Sequence, residues 1–551
     1  MLRMKYLLPV IFTVLLLSCS KKGEPEPEPE PEPANPVISF ASGNDERKLK
    51  IGDSVTLTAI VENAEQPVFA WTVDGKIVST KTEFTFVADK LGEYFANFRV
   101  DAVNGSAEGQ IKISVFAKVP PRITMSPATI AFVGIDMEFV AVAENVENAA
   151  YLWQLDDEVV SETNTYVFNR TEAGDYLLTL KVATEDGEDS HNIRVKVLPK
   201  QTPELFFDNG RYRSPGNANE LRKMTVPNGR NLVLSPVIVG IDNPTVFEWK
   251  VDGATQATTG EYFTFTPAAE GGVYRIAVSE QTTGATAEVE VTCTPPEDVF
   301  FRNNGENRYA TDAFYYMPAP GQFVNSISAA NQTDALNILQ NWCGKEEGFF
   351  HIGAFGGYWI VGFDHSVENK PDIPDIKIKG NAFNNWCEPG VVWVMQDNNG
   401  NGEPDDTWFE LKGSETGKPE TKQRYALTYY KPATADYSAL WLDNMGHTGA
   451  VNRSGGYPKF IDETYYTLVG TCLNSTFGVE AGLEISKCYE WGYADGEGWE
   501  FWIENAIHVD GSPANLKYID FVKVSTAMNA QGALVGEIST EAFIPEDMHF
   551  Q

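Results

Sequence analysis

The sequence predicts an all-β chain: three tandem β-sandwich modules of similar size, followed by a larger β-sandwich of jelly-roll type. Three observations carry that expectation. Period-two alternation, punctuated by Gly, Pro, Asn and Asp, recurs along most of the chain, as half-buried strands require. A tryptophan, an acidic turn and a Gly-x-Tyr pair recur three times between residues 36 and 295. Helical periodicity is convincing only in TDALNILQNW, residues 333–342.

The start of the chain sets the expected compartment. Arg3 and Lys5 precede an apolar run, Leu7 to Leu17, that is too short to span a bilayer as a helix. It ends in Leu16-Leu17-Ser18-Cys19, which resembles a bacterial lipobox, so Cys19 is the expected lipidation site, with acyl chains such as palmitate as the anchor. Ser20, where an aspartate would favour inner-membrane retention, resembles an outer-membrane sorting signal. The following stretch, GEPEPEPEPEPANP at 23–36, cannot form a helix or a core. Proline fixes φ and the glutamates repel, giving an extended spacer of roughly 3.1 Å per residue, on the order of 40 Å in all.

The 551 residues suffice for several domains, and the formal charge of -35 argues against nucleic acid as a partner. Six cysteines are present; with Cys19 lipidated, five remain, so at least one stays unpaired. Cys343 with Cys387 and Cys472 with Cys488 are plausible bridges, although spacing alone leaves connectivity open. Neither a CxxC pair nor an HExxH motif supports zinc.

The three repeats read FAWTVDGK around Trp71, YLWQLDDE around Trp153 and FEWKVDGA around Trp249. Each is followed by a Gly-x-Tyr pair ending at Tyr94, Tyr176 or Tyr274, 23, 23 and 25 residues after its tryptophan. Tryptophan at one position of three divergent copies reads as a core anchor between two sheets. These modules resemble PKD and bacterial immunoglobulin-like domains, and that resemblance implies rigid spacers. KVPPR at 118–122, LPKQTPE at 198–204 and CTPPEDV at 293–299 punctuate them. The expected divisions are a leader at 1–19, a linker at 20–36, modules at 37–117, 118–198 and 199–295, and a C-terminal ligand-binding sandwich at 296–551.

That last region holds nine of the twelve tryptophans and five of the six histidines. In VVWVMQDNNGNGEPDDTWFEL, two strands at 391–396 and 407–411 flank D-x-N-x-N-G-x-x-D. Asp397, Asn399, Asn401 and Asp405 can converge side-chain oxygens, Glu403 offers a backbone carbonyl, and Gly402 allows the sharp turn. Hard oxygen ligands on a tight loop suit structural Ca²⁺, whereas an Asn-Gly-rich turn without metal is the rival reading. Trp408 stands where an EF-hand needs a bidentate glutamate, so the loop resembles the calcium hairpins of integrin-type propellers.

No nucleophile motif is present, and the Asp364-His365 dipeptide reads as structural, so catalysis is not expected. Aromatic excess on a β scaffold favours binding, with Tyr358, Trp359 and Trp386 nominated because they lie near Gly- and Asn-rich loops. The plan of anchor, linker, spacers and terminal domain resembles surface glycan-binding lipoproteins of gut Gram-negative bacteria. The segments VGFDHSVENKPD, EPGVVWVMQDNNGNGEPDDTWFELKGSE and IDFVKVSTAMNAQGALVGEISTE resemble a cell-surface lipoprotein family associated with TonB-dependent transporters, including corrinoid transporters. The resemblance implies a lipid-anchored outer-membrane protein, exposed at the cell surface, that captures an extracellular small molecule or glycan for such a transporter. A vitamin B12-type corrinoid is preferred over a glycan, and an adhesive or structural surface role is the third reading. A contiguous exposed aromatic platform would favour glycan, and a deep aromatic- and histidine-lined pocket would favour corrinoid.

Overall fold

The computed structural model describes residues 34–550 apart from 42, 44, 45, 245, 347, 384, 385, 434–437 and 452–455. Cys19 and most of the Glu-Pro segment lie outside the described residues. The chain is 48% strand. Its single α-helix among the described residues, Gln332–Gln340, falls where the 3.6-residue period places it. Asn331 caps that helix by accepting the Asp334 N–H at 2.9 Å, which satisfies one of the donors a helix start leaves unpaired. None of the described helices is long and apolar enough to cross a membrane.

Residues 34–119 form one compact unit. A five-stranded sheet orders Arg47–Lys50, Gly105–Phe116, Gly92–Ala102, Val68–Val73 and Lys76–Ser79, and a three-stranded sheet orders Val37–Phe40, Ser54–Glu62 and Glu83–Val87. The two enclose Trp71, which is fully buried with its ring 4.9 Å from that of Phe98. The other two modules repeat the plan. In all three, one strand (Arg47–Lys50, Ala128–Phe132, Arg222–Pro227) runs parallel to the module's last strand. Trp71, Trp153 and Trp249 are all fully buried. Their indole N–H groups donate to the carbonyls of Thr82, Thr163 and Gly260, so each ring enters the core without an orphaned donor.

Residues 120–550 belong to a second unit, and here two modules do more than space. Ala128 and Ile130 of the second module share an apolar cluster with Leu440, Leu442 and Ala450 of the C-terminal sandwich. Val237 of the third shares another with Ala426 and Val469. The expectation of simple spacers is therefore corrected for these two: both spend apolar surface on the terminal domain, because their edge residues there are Ala, Ile and Val instead of polar.

The C-terminal sandwich is built on a six-stranded antiparallel sheet, ordered Asp312–Met317, Tyr358–Glu368, Tyr518–Thr526, Gly390–Met395, Trp408–Leu411 and Ala506–Ile507. A four-stranded sheet of Thr448–Val451, Ala439–Asp443, Lys422–Tyr430 and Tyr465–Cys472 packs with it. Every residue of the strand Tyr518–Thr526 is buried, and the third module reaches it where Lys523 donates to the Gly210 carbonyl. The expected bridges are corrected: Cys387 joins Cys488, closing a separation of 101 residues, while Cys293, Cys343 and Cys472 are free. Spacing could not reveal this pairing because the partners meet through the tertiary fold.

Candidate functional site: an aromatic cleft and a carboxylate pocket

The stretch WGYADGEGWEFW, residues 491–502, forms a loop and a two-residue strand, Glu500–Phe501, and leads into a 3-10 turn, Ile503–Asn505. Its middle is pinned. Ala494 exchanges both backbone hydrogen bonds with Gly390 at 2.9 Å. The buried carboxylate of Asp495 accepts the Asn381 and Ala382 N–H groups at 2.9 and 2.8 Å, and that of Glu541 at 3.0 Å. Gly492 lies so near Gly413 that an added Cβ would sit 2.5 Å from its Cα, so this approach requires glycine.

The flanking tryptophans face outward from this fixed backbone. Trp491 and Trp499 are 41% and 39% exposed, high for the largest apolar side chain, and Trp502 is half-buried. With Lys377, Lys412, Glu497, Glu500 and Asn505 they line a cleft of about 480 Å³. The Lys377 ammonium lies 6.0 Å from the Trp499 ring centroid. Flat apolar faces mixed with amines, carboxylates and an amide can stack on a ring and hydrogen-bond its rim.

A second feature adjoins Asp495. Carboxylate oxygens of Glu388, Asp495 and Glu541 all lie within 4.8 Å of one another, and among the described residues this group could hold a metal ion. Glu388 and Glu541 open onto a cavity of about 330 Å³, walled also by Phe323, His351, Asn381 and Trp386. His351 Nδ1 is 2.6 Å from one Glu541 oxygen, and Asn381 Nδ2 donates to the other at 2.6 Å. The bridge at Cys387 ties this wall to Cys488.

The sequence nominees divide. Tyr358 and Trp359 are buried, 1% and 0% exposed, and their assignment as ligand contacts is corrected. They open an interior strand of the large sheet, paired on both sides, and Gly356-Gly357 packs closely before it: a Cβ on Gly357 would fall 1.7 Å from the Ile352 carbonyl oxygen. Trp386 does reach a cavity, the carboxylate pocket. The actual exposed pair, Trp491 and Trp499, was missed, although three tryptophans in twelve glycine-broken residues are a local signal for it.

The hairpin of the D-x-N-x-N-G loop forms as expected, with Gly390–Met395 antiparallel to Trp408–Leu411. Asp397, nearly fully buried, accepts Gly400, Asn401 and Gly402 N–H groups at 2.7, 3.2 and 2.9 Å. Asp405 receives the side-chain amides of Asn399 and Asn401 at 3.1 Å each. The Glu403 carbonyl accepts the Asp405 N–H at 2.9 Å. The loop thus groups the five predicted residues, with most of these oxygens already engaged in holding its turn. His365 lies between Asp364 at 2.7 Å and Asp547 at 2.9 Å and is 5% exposed, a structural bridge.

Burial first, then the nearby Glu541, pushes the Glu388 carboxyl up from an ordinary 4.5 to about 9. Burial does the same to Asp495, from 3.8 to about 7. At neutral pH the folded chain keeps the Glu388 proton and a share of the Asp495 proton, and both leave on unfolding. Their contribution to stability is therefore full near pH 4 and is lost as pH rises through about 7 and then about 9. In buffer containing a metal chelator, the urea midpoint should fall steadily across that range, and Glu388→Gln should remove the upper part of the fall. A flat midpoint in the unaltered chain would contradict the burial of these carboxyls.

A model of the PKD-like domain family matches residues 35–102 and 120–184. No curated protein matches the chain. Among solved structures, the I-band fragment I67–I69 of titin is similar at 16% identity, covering 48% of this chain and 99% of the fragment, with a TM-score of 0.23. The three N-terminal domains of the outer capsid protein Hoc of bacteriophage RB49 are similar at 16% identity, covering 47% and 99%, with a TM-score of 0.23. The fibronectin(III)-like modules of Clostridium thermocellum CbhA are similar at 14%, covering 30% and 95%, with a TM-score of 0.19. The chain thus carries tandem PKD-like repeats over residues 35–102 and 120–184.

Proposed function

We propose that the protein is a non-enzymatic surface lipoprotein that captures a carbohydrate in the Trp491–Trp499–Trp502 cleft, for uptake by a TonB-dependent outer-membrane transporter. The observation that carries the reading is the pair of tryptophans left about 40% exposed on a backbone pinned from both sides. A rigid aromatic platform binds a ring with little ordering entropy, which is why such side chains anchor recognition sites. The corrinoid reading has less support. The cavity whose walls combine Trp393, Trp408, Phe409 and His508 has about 110 Å³, below the roughly 300–1,000 Å³ of ordinary small-molecule pockets, and the one of about 330 Å³ beside Phe323, His351 and Trp386 is walled equally by the polar Gln322, Asn381, Glu388, Ser539 and Glu541. The lipobox at Cys19 and the Glu-Pro segment support anchoring and display.

A glycan array probed with the full chain in detergent tests the reading. At least one polysaccharide class should bind, and Trp491→Ala or Trp499→Ala should weaken it by about tenfold or more, the loss of roughly 1.4 kcal/mol or more, without changing thermal stability. Cyanocobalamin co-eluting with the chain while the array stays blank would restore the corrinoid reading. Silence in both would leave adhesion. Release of reducing sugar, abolished by Glu388→Gln, would replace capture with hydrolysis by the carboxylate pair. Cys19→Ala should move the protein out of the membrane fraction.

Calcium at the 397–405 loop is part of the same proposal, as a stiffener of the turn that joins two strands of the large sheet. The support is the grouping of Asp397, Asn399, Asn401 and Asp405 around a sharp turn at Gly402, whose φ is 76°. Calcium should raise the thermal midpoint of the unaltered chain relative to chelator, and Asp405→Asn should reduce that increment. Equal midpoints with and without calcium would remove calcium from the account.

A further inference from the structure

The tryptophan cleft is lined by two cations and two anions, Lys377 and Lys412 against Glu497 and Glu500, with the Asn505 amide beside them. Its lining therefore carries no formal net charge, in a chain whose total is -35. Among the described residues none of these four joins an ion pair, although Lys377 and Glu500 stand directly opposite each other on neighbouring antiparallel strands. Opposite charges in that register share one face, with Cβ atoms roughly 5 Å apart, and attract each other. Here the two ends stay apart, so the cleft offers donors and acceptors side by side.

The backbone beneath these side chains is held in place. Ile376–Lys377 lies between Glu500–Phe501 and Glu546–Asp547 in one three-stranded sheet. The Ile378 N–H donates to the Trp499 carbonyl at 2.8 Å, and the Asp375 N–H to that of Phe501 at 2.9 Å. The Asp375 carboxylate, fully buried, accepts the Ile503 N–H at 2.7 Å. Lys377 and Trp499 are thus fixed relative to each other at the main chain. At 6.0 Å from the Trp499 ring centroid, the Lys377 ammonium is at the outer reach of a cation–π contact and keeps its three donors for another partner.

We propose that the cleft selects uncharged glycans and that Lys377 and Glu500 set this specificity, an inference that rests on the carbohydrate reading of the cleft. A sugar hydroxyl both donates and accepts. Adjacent hydroxyls on one ring can therefore accept from an ammonium and donate to a carboxylate, satisfying both charges with no charge on the ligand. A uronate or sulfate group would gain a lysine but meet Glu497 and Glu500 as well, and the field of a strongly acidic chain opposes the approach of a polyanion. An amino-sugar cation would meet the two lysines in the same way. The tryptophan faces take the C–H face of the ring, and the cleft's 480 Å³ falls within the roughly 300–1,000 Å³ of ligand pockets.

Affinity electrophoresis of the full chain in detergent tests the proposal, in gels carrying a neutral polysaccharide (laminarin, xyloglucan, arabinoxylan, galactan or mannan) or an acidic one (polygalacturonate, alginate or chondroitin sulfate). At least one neutral polysaccharide should retard the chain, and no acidic one should. With the unaltered chain, that retardation should hold from about 50 to about 500 mM salt, because the ligand brings no charge to be screened. Lys377→Met and Glu500→Gln should each weaken binding of the retarding polysaccharide by about tenfold, at an unchanged thermal midpoint. Retardation by acidic polysaccharides that depends on Trp491 and is lost on raising the salt would overturn the selectivity while leaving carbohydrate capture standing. Full affinity in both Lys377→Met and Glu500→Gln would overturn their role in the same way. Retardation in none of the gels would overturn both the selectivity and the carbohydrate reading beneath it.

Discussion

Two charges buried on one strand govern how the second unit is assembled. Asp520 and Lys523 both lie within Tyr518–Thr526, at 0% and 4% exposure, where an unpaired ion would cost several kcal/mol. Asp520 is satisfied by three donors from separate parts of the chain: Arg302 at 3.0 Å, Ser366 at 2.6 Å and the Asp397 N–H at 2.8 Å. Lys523 is satisfied from another module altogether, through the Gly210 carbonyl, with Asp208 of that same loop opposing its charge. The strand is thus neutralised only when the entry segment, the neighbouring strands and the third module are all in place.

That arrangement explains why the third module is more than a spacer. Burial pushes the Lys523 amine down to about 8, with Asp208 opposing the fall, and raises the Asp208 carboxyl. Two further polar ties fix the same boundary, from Thr407 Oγ1 to the Thr225 carbonyl at 2.6 Å and from Asn398 Nδ2 to Thr225 Oγ1 at 3.3 Å. Apolar contacts at Val237, Ala426 and Val469 supply area beside them. Polar ties of this kind set register and orientation, whereas the apolar surface supplies most of the association free energy.

The tryptophan cleft and the carboxylate pocket share one mechanical element. Asp495 fixes the backbone between Trp491 and Trp499, and it is also one of the three clustered carboxyls. The exposed rings therefore flank a stretch of backbone held at Ala494 and Asp495. Rigid placement of aromatic faces lowers the ordering cost of binding. The Cys387–Cys488 bridge, three residues from Trp491 at one end and next to Trp386 at the other, joins the cleft segment to the pocket wall.

Local pattern determined much of this protein. The recurrence of Trp71, Trp153 and Trp249 with their Gly-x-Tyr partners specifies three sandwiches, because a strand's inward face must be apolar at every second residue and a repeated bulky anchor has one place to go. The helix at Gln332–Gln340 and the hairpin around Asp397 were legible for the same reason: caps, periods and turn residues act over a few positions. Tertiary structure decided what distance along the chain conceals. Tyr358 and Trp359, beside two glycines, read as near a loop but lie buried on an interior strand of the sheet, while Trp499 is 39% exposed. Exposure depends on which surfaces meet, and Cys387 with Cys488, Glu388 with Glu541, and Gly210 with Lys523 meet across sequence separations of more than 100 residues.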